Sequence, residues 1–389
     1  MDEKLTTKSS ALRKLQPRKD STTADALVHN RLRVMRRDDI PAVTALFKTA
    51  FAKGRPIGDL ASYIETVFFD CPHYSEGQGG LVYENGDGGI STALLSLPMP
   101  FTVHGKPVLA RLLCAFMSDG TKSGTIGATR IARSLSGGRI EFCFSDNASP
   151  VSTAHCLASG GITLPIQSLQ WRRAFQPLGS LLASISCVRR LGLLPRVAAP
   201  ILRVVDRALL AWKPSLTPRP AQGCTTKTVP VQAFCDHAEK MTQRFAVRPV
   251  WTREYFDWLV QVIAMNRTLG PLQCRVVEKG GKTIGVYLLV GHKNATANVL
   301  NLICENGREL DVTKQMFADL ARENYVDAIG MAQPFMMNAI LRQRQLTFQH
   351  RGSFCIQSTD SDLIDSTKMG DLYAGGLASE SWSRLVTDF

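Results

Sequence analysis

Hydrophobic and polar residues change period several times along this chain, and each change marks an element. Leu32-Arg33-Val34-Met35 reads as a short strand, and the run from Arg36 to Pro41 opens a helix. Proline is tolerated there because the first-turn N–H groups have no intrahelical partner. Val43, Leu46, Phe47 and Ala50 then recur at spacings of three and four, the period of a helix with one buried face. A second helix is expected over Leu60 to Phe69. Gly80 to Glu84, Gly89 to Val103 and Pro107 to Met117 are apolar or alternating, separated by Asn85-Gly86-Asp87-Gly88 and His104-Gly105-Lys106. Glycine and asparagine accept the positive φ of tight turns, so these stretches predict sequential antiparallel strands. Helical period returns at Gly124 to Leu135, a strand follows over Arg139 to Ser145, and a short helix from Pro150 to Ala158 stops at Gly160-Gly161.

From Pro177 to Pro220 the strand-like alternation disappears into Leu, Val, Ala, Arg and Pro, which predicts one or two linker helices. Beyond it the order repeats with little identity. Helices are expected over Val231 to Phe245 and Trp251 to Met265, then a hairpin of Gln273 to Glu278 and Thr283 to Val290 across Gly280-Gly281. A strand over Thr296 to Cys304, a helix over Leu310 to Glu323, a strand over Ala328 to Met331 and a helix over Phe335 to Arg342 complete the repeat. The segment from Gly370 to Trp382 reads as a packed tail. The same element order twice in one chain points to duplication. The expected organisation is a basic tail over 1–30, a domain over 31–175, a helical linker over 176–224 and a second domain over 225–389. Each domain is expected to be a mixed, mostly antiparallel sheet flanked by helices, an α/β architecture of the α+β type.

Composition supports this plan. A chain of 389 residues suits two domains, and 44% hydrophobic against 20% charged residues describes a sequence that buries a core. No run reaches the length of about 18 apolar residues that crosses a bilayer, and the N-terminus has no apolar signal core, so a cytoplasmic location is expected. The ten cysteines form no Cys-x-x-Cys pair, so buried thiols are expected and no metal site. A net charge of +13 favours acidic partners such as nucleotide phosphates or anionic headgroups. Part of that excess lies in the first 37 residues, of which the stretch up to about residue 30 reads as a solvated tail in preference to a nucleic-acid arm. Over 178–212 aliphatic residues alternate with Arg189, Arg190, Arg196, Arg203 and Arg207. The preferred reading is a helix packed between the two domains, with arginine stems covering apolar surface; peripheral membrane contact is the alternative.

The informative chemistry sits between Leu113 and Ala128, where a strand delivers the chain through Asp119-Gly120-Thr121 directly into a helix. Backbone N–H groups at such a start lack intrahelical partners and stand at the positive end of the helix dipole, which suits a pyrophosphate. Gly124 and Gly127 permit close approach of backbone and ligand, and Lys122 adds a point charge. The segment resembles the acyl-CoA signature of the GNAT superfamily of N-acyltransferases, a basic or Gln residue followed after two positions by Gly and, two further on, by Gly or Ala. Lys122 stands at the basic position and Gly127 at the last, while Thr125 replaces the first Gly. The resemblance covers about residues 31 to 175 and, more weakly, about 225 to 360.

The resemblance implies an acyl-CoA cofactor, acetyl-CoA or another, held by Met117, Ser118, Lys122, Ser123, Gly124, Thr125, Ile126, Gly127 and Ala128. Asn147 would by the same resemblance meet the pantetheine arm, its other reading being a helix cap. The family's strand-borne Glu and helix-borne Tyr are missing from their places. His155 and Glu141 are the candidate proton carriers here, with a partly exposed helical His as the alternative reading of His155. In the second repeat Glu305-Asn306-Gly307-Arg308-Glu309 offers a single glycine and is not expected to cradle a phosphate. The implied activity is transfer of an acyl group, acetyl by expectation, to a primary amine of a small molecule or protein. A GNAT-fold protein that binds acyl-CoA or a partner without turnover is the alternative.

Overall fold

The computed structural model describes residues 32–52, 58–136, 142–189 and 194–387 of the chain. The basic tail over 1–30 and Glu141 lie outside the described residues. The first strands follow the sequence pattern: β1 (Leu32–Val34), β2 (Leu81–Glu84), β3 (Ile90–Val103), β4 (Lys106–Ser118) and β5 (Phe142–Ala148). Between β3 and β4, His104 and Gly105 take φ values of 48° and 78°, the doubly positive backbone of a two-residue hairpin turn. The Asn85 side chain holds the preceding turn by accepting from the Asp87 and Gly89 amides at 3.0 and 2.8 Å. β3 contains Pro98 and Pro100, yet lies inside the sheet. Its edge away from β4 pairs β2 through residues 90–94 and β9 (Val247–Pro249) through 101–103, so both prolines fall between the two pairings.

The remaining strands are β6 (Ile162–Thr163), β7 (Leu169–Ala174), β8 (Cys224–Val229), β10 (Leu272–Lys279), β11 (Lys282–Val290), β12 (Thr296–Cys304), β13 (Asp327–Met331), β14 (Leu346–His350) and β15 (Ser353–Ser358). They form two sheets. The first runs β1-β2-β3-β4-β5-β15-β6 with β9 added to β3, and the second runs β14-β7-β13-β12-β11-β10-β8. Place by place the two correspond. Each has a three-stranded antiparallel meander, a parallel neighbour (β5 on β4, β13 on β12), then an antiparallel strand taken from the other half of the chain. β15 fills that place beside β5, and β7 fills it beside β13. The sequence divisions at 175 and 225 therefore separate stretches of chain, whereas the sheets exchange strands across them, β15 and β9 entering the first and β7 the second.

The duplicated architecture is thus present, and β6 through β9, β14 and β15 are additions to the sequence reading. Their pattern hides them. β7 buries Trp171 and Arg173 together, each 2% exposed, so a charged residue stands where an apolar one would reveal a strand. Arg173 donates to the Gln345 side chain and to the Leu216 carbonyl, and neighbouring Arg172 pairs with Asp327.

The helices are α1 (Ile40–Phe47), α2 (Leu60–Phe68), α3 (Lys122–Ser136), α4 (Pro150–Ala158), α5 (Pro177–Arg189), α6 (Leu194–Trp212), α7 (Ala233–Thr242), α8 (Arg253–Ala264), α9 (Glu309–Arg322), α10 (Met337–Leu341), α11 (Ser361–Lys368) and α12 (Arg384–Thr387). One continuous core joins the halves, with Val43, Phe47 and Ile64 of α1 and α2, Phe234, Phe256 and Leu259 of α7 and α8, and residues of both sheets. A second cluster packs α9 on the outer face of the second sheet, and a third packs α3 on the outer face of the first through Tyr83, Leu94 and Ile131. Burying a Phe or Leu side chain contributes roughly 1.5–3 kcal/mol, so a shared core of this kind binds the halves into one unit.

The tail after α11 crosses both halves. The Asn301 side-chain amide donates to the Tyr373 hydroxyl of the tail at 2.8 Å, and the Asn301 side-chain carbonyl accepts from the Leu377 amide at 3.0 Å. The Trp382 carbonyl accepts from Asn266, and Ser383 bonds Tyr63 of α2 at 3.2 Å. No helix among the described residues is long and apolar enough to cross a membrane.

Candidate functional site

β4 and β5 are paired in register at Arg111 with Cys143 and Leu112 with Phe144, and there the parallel pairing stops. A bulge explains part of the divergence. Cys114 and Ala115 of β4 together stand against Leu95 of β3, which bends β4 away from its parallel neighbour. Beyond that point the two strands splay and leave a cavity of about 370 Å³. Leu113 and Phe116 of β4, Ser145 and Asn147 of β5, and Ala132 and Leu135 of α3 line it, as do His155 and Cys156 of α4. Phe47 and Phe51 also reach it from the core side, so the gap passes through the sheet.

The tail places a carboxyl in this wall. Glu380, 6% exposed, lines the cavity beside Cys114 and donates its backbone N–H to Asp146 Oδ1 at 3.0 Å. Burial and the neighbouring Asp146 push Glu380 up to about 8. Burial likewise raises Asp146 to about 6, against the stabilising backbone bond from Glu380. Each carboxyl thus ionises less readily than an isolated one, Glu380 more so because the charge of Asp146 adds to its burial. Arg351 moderates both by its positive charge. The Cys114 thiol, in hydrogen-bonding reach of Glu380, is pushed far up by burial and stays protonated. A smaller cavity of about 40 Å³, lined by Gln167, Ser168, Gln170 and Asn298 together with Val299, Leu300, Gly330 and Met331, shares Glu380, Asn147 and Arg351 with the first.

Of the residues singled out by sequence, Asn147 and His155 line the large cavity. Asn147 is exposed and does not cap α4; Ser149 does, accepting from the Ser152 amide at 3.2 Å. The His155 ring stands edge-on to Phe116 with centroids 6.2 Å apart. Lys122 and Thr125 are exposed at the start of α3, and Ile126 is partly so. Thr121 caps that helix by accepting from the Gly124 amide at 3.1 Å, and Asp119 anchors Thr121 at 2.9 Å. Met117 points into the core, Ser118 lies near Gly124, Ser123 bonds Ser91, and Ala128 is half-buried.

The two glycines need a correction. A Cβ on Gly124 would lie 2.3 Å from the side chains of Asp119 and Ser118, and one on Gly127 would lie 2.5 Å from Thr92 and 2.7 Å from Tyr83. Their missing side chains let α3 sit close on the sheet, and the room is taken by the protein itself and not by a ligand. Sequence reasoning misses Glu380, Asp146 and Arg351. The one signal it offers is a lone acid in the otherwise apolar or small stretch from Leu372 to Trp382.

The fold that splays these strands is shared with solved GCN5-related N-acetyltransferases, and this chain carries it in two halves. The chain is similar to a GCN5-related N-acetyltransferase from Anabaena variabilis at a TM-score of 0.54 and 8% identity, over 85% of this chain and 73% of that one. It is similar to a probable N-acyltransferase from Enterococcus faecalis at a TM-score of 0.53 and 9% identity, over 84% and 72% of the two chains. No protein-family profile matches the sequence, and no curated protein matches it.

Proposed function

We propose that this chain transfers an acyl group from acyl-CoA to a primary amine, with acetyl-CoA as the first donor to test. The observation that carries this reading is Glu380, a buried carboxyl on the wall common to the strand gap and the smaller cavity. The gap suits an extended pantetheine arm, because splayed strands present backbone groups that no neighbouring strand satisfies. Its volume of about 370 Å³ lies within the range of small-molecule sites. Lys122 and the first amides of α3 would face the diphosphate, and Asn147 the arm itself.

In this scheme the amine enters from the side of Gln167, Gln170 and Asn298. Its nitrogen attacks the thioester carbonyl carbon, the C–N bond forms as the C–S bond breaks, and the amine proton passes to Glu380 once that carboxyl has ionised, which its value of about 8 favours on the alkaline side. The departing thiolate takes a proton from His155. Positioning alone supplies much of the acceleration in such a reaction. The acceptor, whether small molecule or protein, is recognised by polar groups of both halves.

Thiol release from acetyl-CoA and longer acyl-CoA, measured against a panel of primary amines alongside calorimetric CoA binding, tests the proposal. Release that depends on an amine supports it. Binding without release across the panel favours a non-catalytic acyl-CoA binder, and absence of CoA binding removes both readings.

A further inference from the structure

The helical hairpin of α5 and α6 carries a feature unrelated to the strand gap. Asp206 of α6 is fully buried, and its carboxylate accepts from the Leu178 and Gly179 amides at 3.0 and 2.9 Å, capping the start of α5. The hairpin is fixed to the body at this base, where Ser180 donates to Asp327 at 2.7 Å. With Asp206 facing inward, the helix period turns Ile201, Val204, Val205, Ala208, Ala211 and Trp212 to the opposite side. They are outside: Trp212 is 82% exposed, Val204 65%, Ile201 64% and Val205 46%. On α5, Leu181 is 57% exposed. This corrects the expectation of a helix packed between the halves, because α6 turns its apolar stripe away from the protein.

The charges around the stripe are of one sign. Between residues 177 and 220 the sequence holds seven Arg or Lys and a single acid, Asp206, whose charge is used inside the hairpin. Arg207, Lys213 and Arg219 are exposed, with Arg207 one step round the helix from Val204 and Ala211. An apolar stripe edged by cations and ending in an exposed Trp has the chemistry of an interface between hydrocarbon and anionic headgroups. A second copy of the same face would bring like charges together, which opposes self-pairing.

The geometry points to the α5–α6 hairpin as a docking element for an anionic lipid bilayer, lying in the headgroup layer without crossing it. Ile201, Val204, Val205 and Trp212 enter the interface, and Arg207 and Lys213 stay at phosphate level. This holds whether or not the strand gap performs acyl transfer.

Co-sedimentation of the full chain with phosphatidylcholine vesicles, with and without phosphatidylglycerol, tests it. The chain is expected to bind phosphatidylglycerol vesicles at least about tenfold more tightly than phosphatidylcholine alone, with binding weakened by salt. The Val204→Asp/Ala208→Asp double variant, altered only at outward positions, should lose about tenfold in affinity, and Arg207→Glu about threefold. No binding to either vesicle, or binding that the double variant retains, overturns the proposal. So does concentration-dependent self-association in sedimentation velocity that the double variant abolishes, because a second copy would then cover the stripe.

Discussion

The two halves open the same gap and treat it differently. In the first, β4 and β5 part after Leu112 and Phe144, and the space beyond is a cavity. In the second, β12 and β13 part after Val299 and Gly330, and the tail takes much of the space beyond, leaving the cavity of about 40 Å³ lined by Val299, Leu300, Gly330, Met331 and Gly376. Gly376 lies against the Leu300 carbonyl, Asn301 holds Tyr373 and Leu377, and Gln333 donates to the Ala374 carbonyl. The helix starts differ as well. α3 begins at Lys122, whereas α9 begins with Glu309 and Asp311, whose carboxylates take up the nearby cations Arg244 and Lys279. The two halves thus part their strands at matching places; the tail narrows one gap and continues to Glu380, which lines the other.

The largest expected effect comes from the carboxyl that the tail delivers. Glu380→Gln should lower kcat by about hundredfold or more while acyl-CoA binding persists, and unchanged turnover would remove Glu380 from the mechanism. Next is the plug. Gly376 has a φ of 61°, and a Cβ there would lie 2.0 Å from the Leu300 oxygen. Gly376→Ala should therefore destabilise the chain by about 3 kcal/mol in denaturant unfolding, because neither backbone can yield. Filling the open gap should act in the opposite way. Ala132→Phe is expected to weaken acyl-CoA binding by about tenfold in calorimetry and to change stability by less than about 1 kcal/mol, since its new ring enters existing space.

The remaining effect is on pH-dependent stability. Burial raises Glu380 from 4.5 to about 8, so the folded chain holds a proton that the unfolded chain has released in between. This group's contribution is complete below 4.5 and is lost as pH rises through about 8. Glu380→Gln should accordingly raise Tm above pH 8 and leave it little changed at acid pH. Parallel Tm profiles for the two proteins would contradict the buried position of that carboxyl.

Much of the first half is legible in the sequence. The hairpin turns at His104-Gly105 and Gly280-Gly281, the periods of α1 and α3 and the repeated element order are local properties, and each appears as expected. Sequence alone singles out Asn147 and His155, and both reach the cavity. Gly124 and Gly127 look alike from either reading, because a glycine that admits a ligand and one that admits a neighbouring strand have the same missing side chain. Glu141 lies outside the described residues.

What the sequence determined alone was whatever depends on neighbours along the chain: helix and strand period, turn conformation, and a helix start able to face an anion. Partnership across the chain was decided by tertiary structure. β7 and β15 are each short, and only the sheets show that they exchange places. Glu380 has an ordinary carboxyl until Asp146, distant in sequence, lies beside it in a buried wall. Burial and proximity are properties of the packed molecule, and they set both the proton affinity of that group and the openness of the gap it faces.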